Sequence, residues 1–154
     1  MLLALLAAAC IVAADPPLAP VTVCEILADL PAYEGKSLAV LGRFSFRRDG
    51  RWIGEQTCGA AITAPPMLWL DEDAPGGPKP PADFELEAAA LNAKFATIAK
   101  RTTLGKFRFG STDYDRWAVV FGRVEARKGD AAQKAAANLV FRGNGVITFL
   151  STEK

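Results

Sequence analysis

The chain has 154 residues, of which 51% are hydrophobic and 23% are charged, a composition typical of one soluble globular domain. Its 18 basic and 17 acidic residues leave a formal net charge of +1, so no global field draws the protein to nucleic acid or to an anionic membrane. The sequence contains no histidine, which removes the commonest general base and zinc ligand from any enzyme mechanism.

The first 14 residues are uncharged and apolar, and they end in small residues before Asp15 and two prolines. The run is too short to span a bilayer as a helix, so it predicts a signal peptide over 1–14, cleavage after Ala14 and export to the periplasm or the extracellular space. Residues 7–10 also resemble a lipoprotein processing site that would anchor the protein through Cys10. Because the apolar run continues beyond Cys10, we favour simple cleavage.

Two cysteines remain in the mature chain. Cys24 and Cys58 form an even pair in a protein bound for an oxidising compartment, and we expect a disulfide between them. In the chain-entropy description, closing a loop of this length stabilises the fold by roughly 3 to 4 kcal/mol. The alternative is a pair of buried free thiols.

Residues 15–36 are interpreted as a proline-rich arm followed by a short helix. Thr22 is a suitable N-cap, and an apolar stripe at helical spacing follows it, made of Val23, Ile26, Leu27 and Leu30. Pro31 is expected to end this helix, and Gly35 is expected to lie in a turn before the first strand.

The pattern becomes that of β-structure at residue 37. Residues 37–47 alternate apolar side chains on one face, and the hairpin signal at 48–50 precedes a return strand over 51–58. A third strand contains residues 67–70, and the prolines and glycines of residues 75–81 predict a loop.

Two apolar strands contain a glycine at mid-length, Gly42 and Gly122. A glycine within a strand pattern marks a bulge or a sharp bend, because the missing Cβ permits backbone angles that a straight strand does not need. Two such bends predict a small, strongly curved sheet.

Residues 82–100 change to helical periodicity, with an apolar stripe made of Phe84, Ala88, Leu91, Phe95 and Ile98. This stripe predicts the one long helix of the protein. Residues 117–127 are expected to form the fourth strand, residues 128–138 a polar connection that holds a helical turn, and residues 145–151 the last strand.

The predicted protein is therefore mainly β with one long helix, and its order β-β-β-α-β-β over residues 37–154 follows a short N-terminal helix. This order resembles the OB fold, a five-stranded, partly open barrel whose helix plugs one end between strands three and four. A narrower resemblance, to a group of small exported bacterial proteins without an assigned activity, is carried by residues 23–24, Leu27, Leu30, residues 33–36 and 40–44, Trp52, Cys58 and residues 122–124. It implies secretion and the barrel, and it implies no catalytic residues.

OB barrels bind ligands on the face of strands two and three and with the loops joining strands one to two and four to five. In this chain those regions predict a basic groove with two aromatic platforms, made of Arg47, Arg48, Arg51, Trp52, Trp69, Arg127 and Lys128. Aromatic faces stack on bases or sugars, so the groove predicts an oligonucleotide or a glycan as ligand. The alternative places both tryptophans inside the barrel and neutralises the loops with carboxylates, and the near-zero net charge favours this alternative.

Other polar clusters carry weaker signals. The carboxylates of residues 71–73 are adjacent, and adjacent acids rarely converge on one ion, so a solvated turn is expected and no metal or cofactor is predicted. Arg43 and Arg123 each follow a bend glycine and would form an anion site if they met on neighbouring strands; outward-pointing, solubilising arginines are the commoner outcome.

Taken together, these features predict an exported, non-catalytic binding or accessory module whose partner is an oligonucleotide, a glycan or a protein. One alternative is a nucleic-acid or glycan binder that uses the basic loops with Trp52 and Trp69. A second alternative is a small hydrolase with a carboxylate site.

Overall fold

The computed structural model describes residues 16–72, 74–81, 85–103, 114–143 and 146–150. The predicted signal peptide with Cys10, residue 73 of the acidic cluster and Phe84 of the helical stripe lie outside these residues. The strands are β1 (Val21–Thr22), β2 (Ser37–Arg47), β3 (Gly50–Gly54), β4 (Met67–Glu72), β5 (Tyr114–Ala126), β6 (Ala137–Phe141) and β7 (Val146–Leu150). The helices are α1 (Val23–Ala28), α2 (Leu30–Tyr33), α3 (Ala88–Ala99) and α4 (Ala131–Lys134).

Five of the strands close into a barrel. β2 pairs antiparallel with β3 and β5, β3 pairs antiparallel with β4, and β5 pairs antiparallel with β6. A parallel pairing between β4 and β6 completes the ring, while β1 and β7 add to β2 and β5 respectively. The chain is thus mainly β, with short helices, and in the part of the chain that the structure describes no helix is both long and apolar enough to cross a membrane.

Closure depends on two inward-facing glycines. A Cβ on Gly42 would lie 2.8 Å from Cγ1 of Ile53, and a Cβ on Gly122 would lie 2.7 Å from Cγ of Leu139. Each glycine therefore lets its strand approach the next strand more closely than a side chain would allow. The strong curvature predicted from these glycines is confirmed, although the β2–β5 register runs through both without a bulge.

The interior of the barrel is closed by the N-terminal arm. Thr22 and Glu25 form a capping box at the start of α1, and the helix inserts Val23 and Ile26, both fully buried, into the interior cluster. The predicted cap is confirmed, but the helix ends at Ala28 and Pro31 lies within α2, so Pro31 does not end the first helix as expected. A proline is tolerated in the first turn of a helix because the N–H groups there have no intrahelical partner.

The predicted long helix, α3, is shorter than expected, and it packs on the outside of the barrel rather than at one end of it. Residues 85–87 are not helical, because Leu18 bridges to Leu86 through hydrogen bonds with Glu85 and Glu87, and α3 begins only at Ala88. Ile98 and Phe95 of α3 pack with Trp117 on the outer faces of β2 and β5. The expectation that this helix plugs one end of the barrel is therefore wrong; α1 supplies helical side chains to the interior.

The last barrel strand also differs from expectation. Residues 137–141 form β6, although residues 128–138 were expected to be a connection, and the predicted strand at 145–151 corresponds to β7, which lies outside the ring. The expected helical turn is present as α4. Ala137 and Leu139 face inward and are fully buried. Because alanine is common in helices and connections as well, the alternation of apolar residues alone does not show that Ala137 belongs to a strand.

The return strand ends at Gly54 rather than at residue 58. From there the chain leaves the sheet, and the predicted disulfide between Cys24 and Cys58 is present, with Cα atoms 5.1 Å apart. The carboxylate of Glu55, 3% exposed as a residue, accepts a hydrogen bond from the Cys24 N–H at 2.8 Å. The disulfide and Glu55 thus join α1 to the segment that follows β3.

Enlarging either glycine should destabilise the barrel. We expect Gly42→Ala and Gly122→Ala each to lower the free energy of unfolding by about 1 to 3 kcal/mol, since the added methyl group overpacks the approach to Ile53 or Leu139. Urea denaturation measures the change, and Ser37→Ala, at an exposed position of β2, should stay within about 0.5 kcal/mol of the parent. Equal stability of the parent and both glycine variants would contradict this account of closure.

Reducing the disulfide should also be costly. With a sequence separation of 34 residues, its loss is expected to lower the free energy of unfolding by about 3 to 4 kcal/mol. Unfolding with and without a reductant measures this difference, and the double variant Cys24→Ser/Cys58→Ser should no longer respond to the reductant. A parent protein that is insensitive to reduction would contradict the prediction.

Candidate functional site

The two tryptophans lie on the outside of the barrel. Trp52 of β3 and Trp69 of β4 are cross-strand partners whose rings stack with centroids 5.7 Å apart and an interplanar angle of 24°. Their sequence neighbours Ile53 and Leu68 are fully buried in the interior, and alternate residues of a strand point to opposite faces, so the tryptophans face outward and are half-buried. The alternative in which both tryptophans fill the barrel is therefore wrong.

An arginine lies over each tryptophan. The guanidinium carbon of Arg47 is 5.8 Å from the ring centroid of Trp52, and that of Arg127 is 5.5 Å from the ring centroid of Trp69. These distances are within the range of cation–π attraction. We name the set of Arg47, Trp52, Trp69 and Arg127 the tryptophan strip. It contains four of the seven residues of the predicted basic groove.

One end of the strip is held firmly. The guanidinium of Arg47 donates to both carboxylate oxygens of Asp115 at 2.9 Å and to the backbone carbonyls of Phe46 and Tyr114 at 2.7 Å. Asp115 also accepts a 2.6 Å hydrogen bond from Ser45, a side chain with no exposed surface. Nη2 donates to both carboxylate oxygens while Nη1 donates to the two carbonyls, and these contacts together fix the position and the orientation of the guanidinium.

The pKa of Asp115 reflects these contacts. Burial of the carboxyl group raises its pKa, but the hydrogen bonds from Ser45 and Arg47, with the positive charges of Arg47 and Arg43, outweigh burial and leave the pKa below its usual value. Asp115 is therefore ionised under ordinary conditions and keeps Arg47 over Trp52.

Trp69 also depends on a glycine. A Cβ at Gly50 would clash with Cζ2 of Trp69, and the φ of +152° at Gly50 is one that other residues rarely adopt. Because Gly50, at the end of the predicted hairpin turn, has no side chain, the Trp69 ring can pack directly against its backbone.

The other end of the strip contains unpaired polar atoms. Nη1 of Arg127 and Oδ1 of Asn138 are buried and have no hydrogen-bond partner within the described residues. Asn138 is the register partner of Trp69 across the parallel β4–β6 pair, and it also pairs with Glu125 of β5. Sequence reasoning missed Asn138 because it assigned this residue to a connection, and only the register of β6 places it beside Trp69.

The remaining predicted site residues lie off the strip. Arg51 forms an ion pair with Glu72 and lies 5.2 Å from the ring centroid of Phe46, at an end of the barrel interior. Arg48 and Lys128 are exposed, and neither has a hydrogen bond or an ion pair within the described part of the chain. Of the predicted basic groove, the structure therefore brings together only the tryptophan strip, with the aromatic pair at its centre.

The weaker polar clusters do not assemble into sites. Arg43 is paired in register with Trp117, and Arg123 with Ser37, so the two arginines do not meet; each donates to a backbone carbonyl, of Thr103 and of Gly76 respectively. Within residues 16–72, 74–81, 85–103, 114–143 and 146–150, no group of three His, Cys, Asp or Glu side chains is placed to hold a metal ion.

Acid should loosen the strip. Because the pKa of Asp115 is lowered on folding, this carboxylate contributes stability above its unfolded pKa of about 4, and the contribution is lost as the pH falls through the lower folded value. We expect the free energy of unfolding to fall below about pH 4, and to fall less steeply in Asp115→Asn, as measured by urea denaturation at several pH values. Part of the dependence of stability on pH should persist in this variant, because the pKa of Glu25 is also lowered on folding. Burial raises the pKa of Glu25, but the contacts with Lys94 and Thr22 lower it by more. Identical slopes in the parent and in Asp115→Asn would contradict the assignment.

Comparison with known proteins adds no relative to these observations. No protein-family model matches the chain, and neither does any curated protein or any solved structure. The site is therefore interpreted from its own contacts.

Proposed function

We propose that the protein is an exported, non-catalytic binding module and that its ligand binds at the tryptophan strip. The observation that carries the proposal is the stacked, outward-facing pair of Trp52 and Trp69 between two arginines. Tryptophan rings on a solvent-facing sheet offer a large apolar contact area with little loss of conformational freedom on binding.

We further propose that the barrel is OB-like. In its support, the ring order β2-β3-β4-β6-β5 joins the third and fifth barrel strands in parallel, and α3 precedes the fourth barrel strand in the chain. OB barrels bind ligands on the face of their second and third strands, and these are β3 and β4, the strands that carry the two tryptophans. The position of α3 outside the barrel departs from the expected plug.

Export is supported by two features. The disulfide between Cys24 and Cys58 is of the kind that persists in oxidising compartments, and in the described residues no helix could cross a membrane. With the apolar leader over 1–14, these features support export to the periplasm or the extracellular space, and simple cleavage is favoured over lipid anchoring because the apolar run continues beyond Cys10.

A hydrolase receives no comparable support. The two carboxylates that are buried among the described residues each hold elements together: Asp115 contacts Ser45 and Arg47, and Glu55 contacts the Cys24 N–H and Arg101. We therefore propose binding rather than catalysis.

Tryptophan fluorescence tests the site. Saturable quenching of the oxidised protein is expected with a mixed single-stranded oligonucleotide or with a glycan, and Trp52→Ala and Trp69→Ala should each weaken binding by about 5- to 100-fold, since one ring stacked on an aromatic side chain contributes about 1 to 3 kcal/mol. Trp117→Phe is the matched control, because Trp117 is buried against α3 on another part of the barrel. The affinity of this variant for the oligonucleotide or glycan should equal that of the parent. Binding that survives both strip variants, or the absence of any binding, would overturn the proposal.

A further inference from the structure

We propose that the cleft between α1, α3 and the disulfide binds a free alkyl carboxylate, with the alkyl chain inside the cleft and the carboxylate on Arg101. The cleft has a volume of about 480 Å³, within the range of about 300 to 1,000 Å³ that is typical of sites for small molecules. None of the described residues that line it belongs to the tryptophan strip, so this inference stands apart from the function proposed above.

The lining of the cleft is mainly aliphatic. On one side lie Ala93, Thr97 and Ile98 of α3, and Ile98 is 2% exposed. On the other side lie Ala28 of α1, Ile62 and the disulfide. The described lining contains no aromatic side chain, and the Thr97 hydroxyl donates to the Ala93 carbonyl within the helix. Such a surface favours an alkyl chain, which gains free energy by leaving water.

Two ion pairs bridge the cleft and hold its walls in place. Nζ of Lys94 on α3 donates to both carboxylate oxygens of Glu25 on α1, at 2.9 and 2.8 Å. Nη2 of Arg101, just after α3, donates to Glu55 at 3.3 Å, and Glu55 also accepts the Cys24 N–H. The helices and the segment after β3 are thus joined before any ligand arrives, which lowers the ordering cost of binding.

Arg101 has hydrogen-bond donors to spare for a ligand. Its side chain is 54% exposed, whereas that of its partner Glu55 is 1% exposed. Only Nη2 contacts Glu55, so in the part of the chain that the structure describes the other N–H groups of this guanidinium have no hydrogen-bond partner. By contrast, Glu25, the acid that lines the cleft, already accepts from Lys94 and from the Thr22 N–H. A carboxylate therefore finds free donors, while a cationic head group finds only acids that are already paired.

The spacing along α3 sets the length of the ligand. Ala93 and Arg101 are separated by about two helical turns, or roughly 11 Å. An alkyl chain of medium length spans this distance, with its head group at Arg101 and its end near Ala93. Decanoate is therefore the probe chosen for the test.

Calorimetric titration of the oxidised protein with three decyl compounds tests the inference. Decanoate, 1-decanol and decyltrimethylammonium share the alkyl chain and differ in the head group. Decanoate is expected to bind saturably, and 1-decanol at least about fivefold more weakly, because it cannot form a charge-assisted hydrogen bond. Decyltrimethylammonium is expected not to bind.

Variants of the cleft test the two parts of the site. Arg101→Gln should lower the affinity for decanoate to that for 1-decanol, while Lys100→Gln, at the exposed neighbouring position, should equal the parent. Ala93→Phe should abolish binding of both compounds, because the added ring fills the cleft. Ala96→Phe is its matched control, since Ala96 is an exposed alanine of the same helix that does not line the cleft.

Several outcomes would overturn the inference: equal affinities for all three decyl compounds, decanoate binding that is unchanged in Arg101→Gln or in Ala93→Phe, or no binding of decanoate. Binding to phosphatidylglycerol vesicles but not to monomeric decanoate would also overturn it. Unfolding curves check that Arg101→Gln, which removes the cation beside the buried Glu55, is folded, and Ala93→Phe tests the cleft at an exposed position. Decanoate binding should persist in Trp52→Ala and Trp69→Ala, so failure of this inference and failure of the tryptophan strip are distinguishable.

Discussion

The absence of two Cβ atoms underlies the whole molecule. At Gly42 and Gly122, β2 and β5 approach Ile53 and Leu139 within distances that no side chain would permit. These approaches allow five strands to close around an interior small enough to be filled by their own side chains and by α1. Because the ring is closed, alternation divides each strand into an inner and an outer face, and the outer face is where Trp52 and Trp69 lie.

The outer face has an uneven distribution of hydrogen bonds. At one end of the strip, Asp115 and Ser45 fix Arg47 through a network in which the strongest acceptors are satisfied. At the other end, Arg127 and Asn138 contain buried atoms without partners in the described residues. Buried polar atoms are nearly always paired in folded proteins, so these two atoms, like Nε of Arg43 elsewhere on the barrel, are exceptions to the general rule. The fixed end gives the aromatic pair a defined position, which would lower the ordering cost of the binding proposed above.

Much of the barrel could be predicted from local sequence, and most of what could not be predicted depends on long-range contacts. Alternation over residues 37–47 gave the correct bounds of β2, and the hairpin signal placed β3 beside it. By contrast, β6 contains only a short apolar run after an alanine-rich stretch, and its parallel partner β4 is far away in sequence. The side of the sheet on which α3 packs was likewise not visible in its own stripe, because an amphipathic helix shows which of its faces is buried and not what buries it.

The candidate site, like the barrel, could be predicted from the sequence only in part. Trp52 and Trp69 were identifiable as aromatic residues on neighbouring strands, but their outward direction required the interior to be known. Arg47, Arg48 and Arg51 looked alike as a basic loop, yet one is tied to Asp115, one is exposed and one pairs with Glu72. Asn138 had no signal of its own, since a single asparagine acquires a role only from the strand beside which it is placed.

The parallel seam between β4 and β6 bears on how the protein matures. Residue 68 meets residue 137 there, whereas Cys24, Cys58 and the hairpin of β2 and β3 all belong to the first part of the chain. Contacts between distant residues form slowly because a long loop must be closed first, so this seam and the β2–β5 pairing, in which Ser37 meets Arg123, are both suited to be late events in folding. Until it forms, β4 is an open edge, and Trp69 lacks both Asn138 and Arg127. Newly made chains would therefore acquire an intact strip only when the barrel closes.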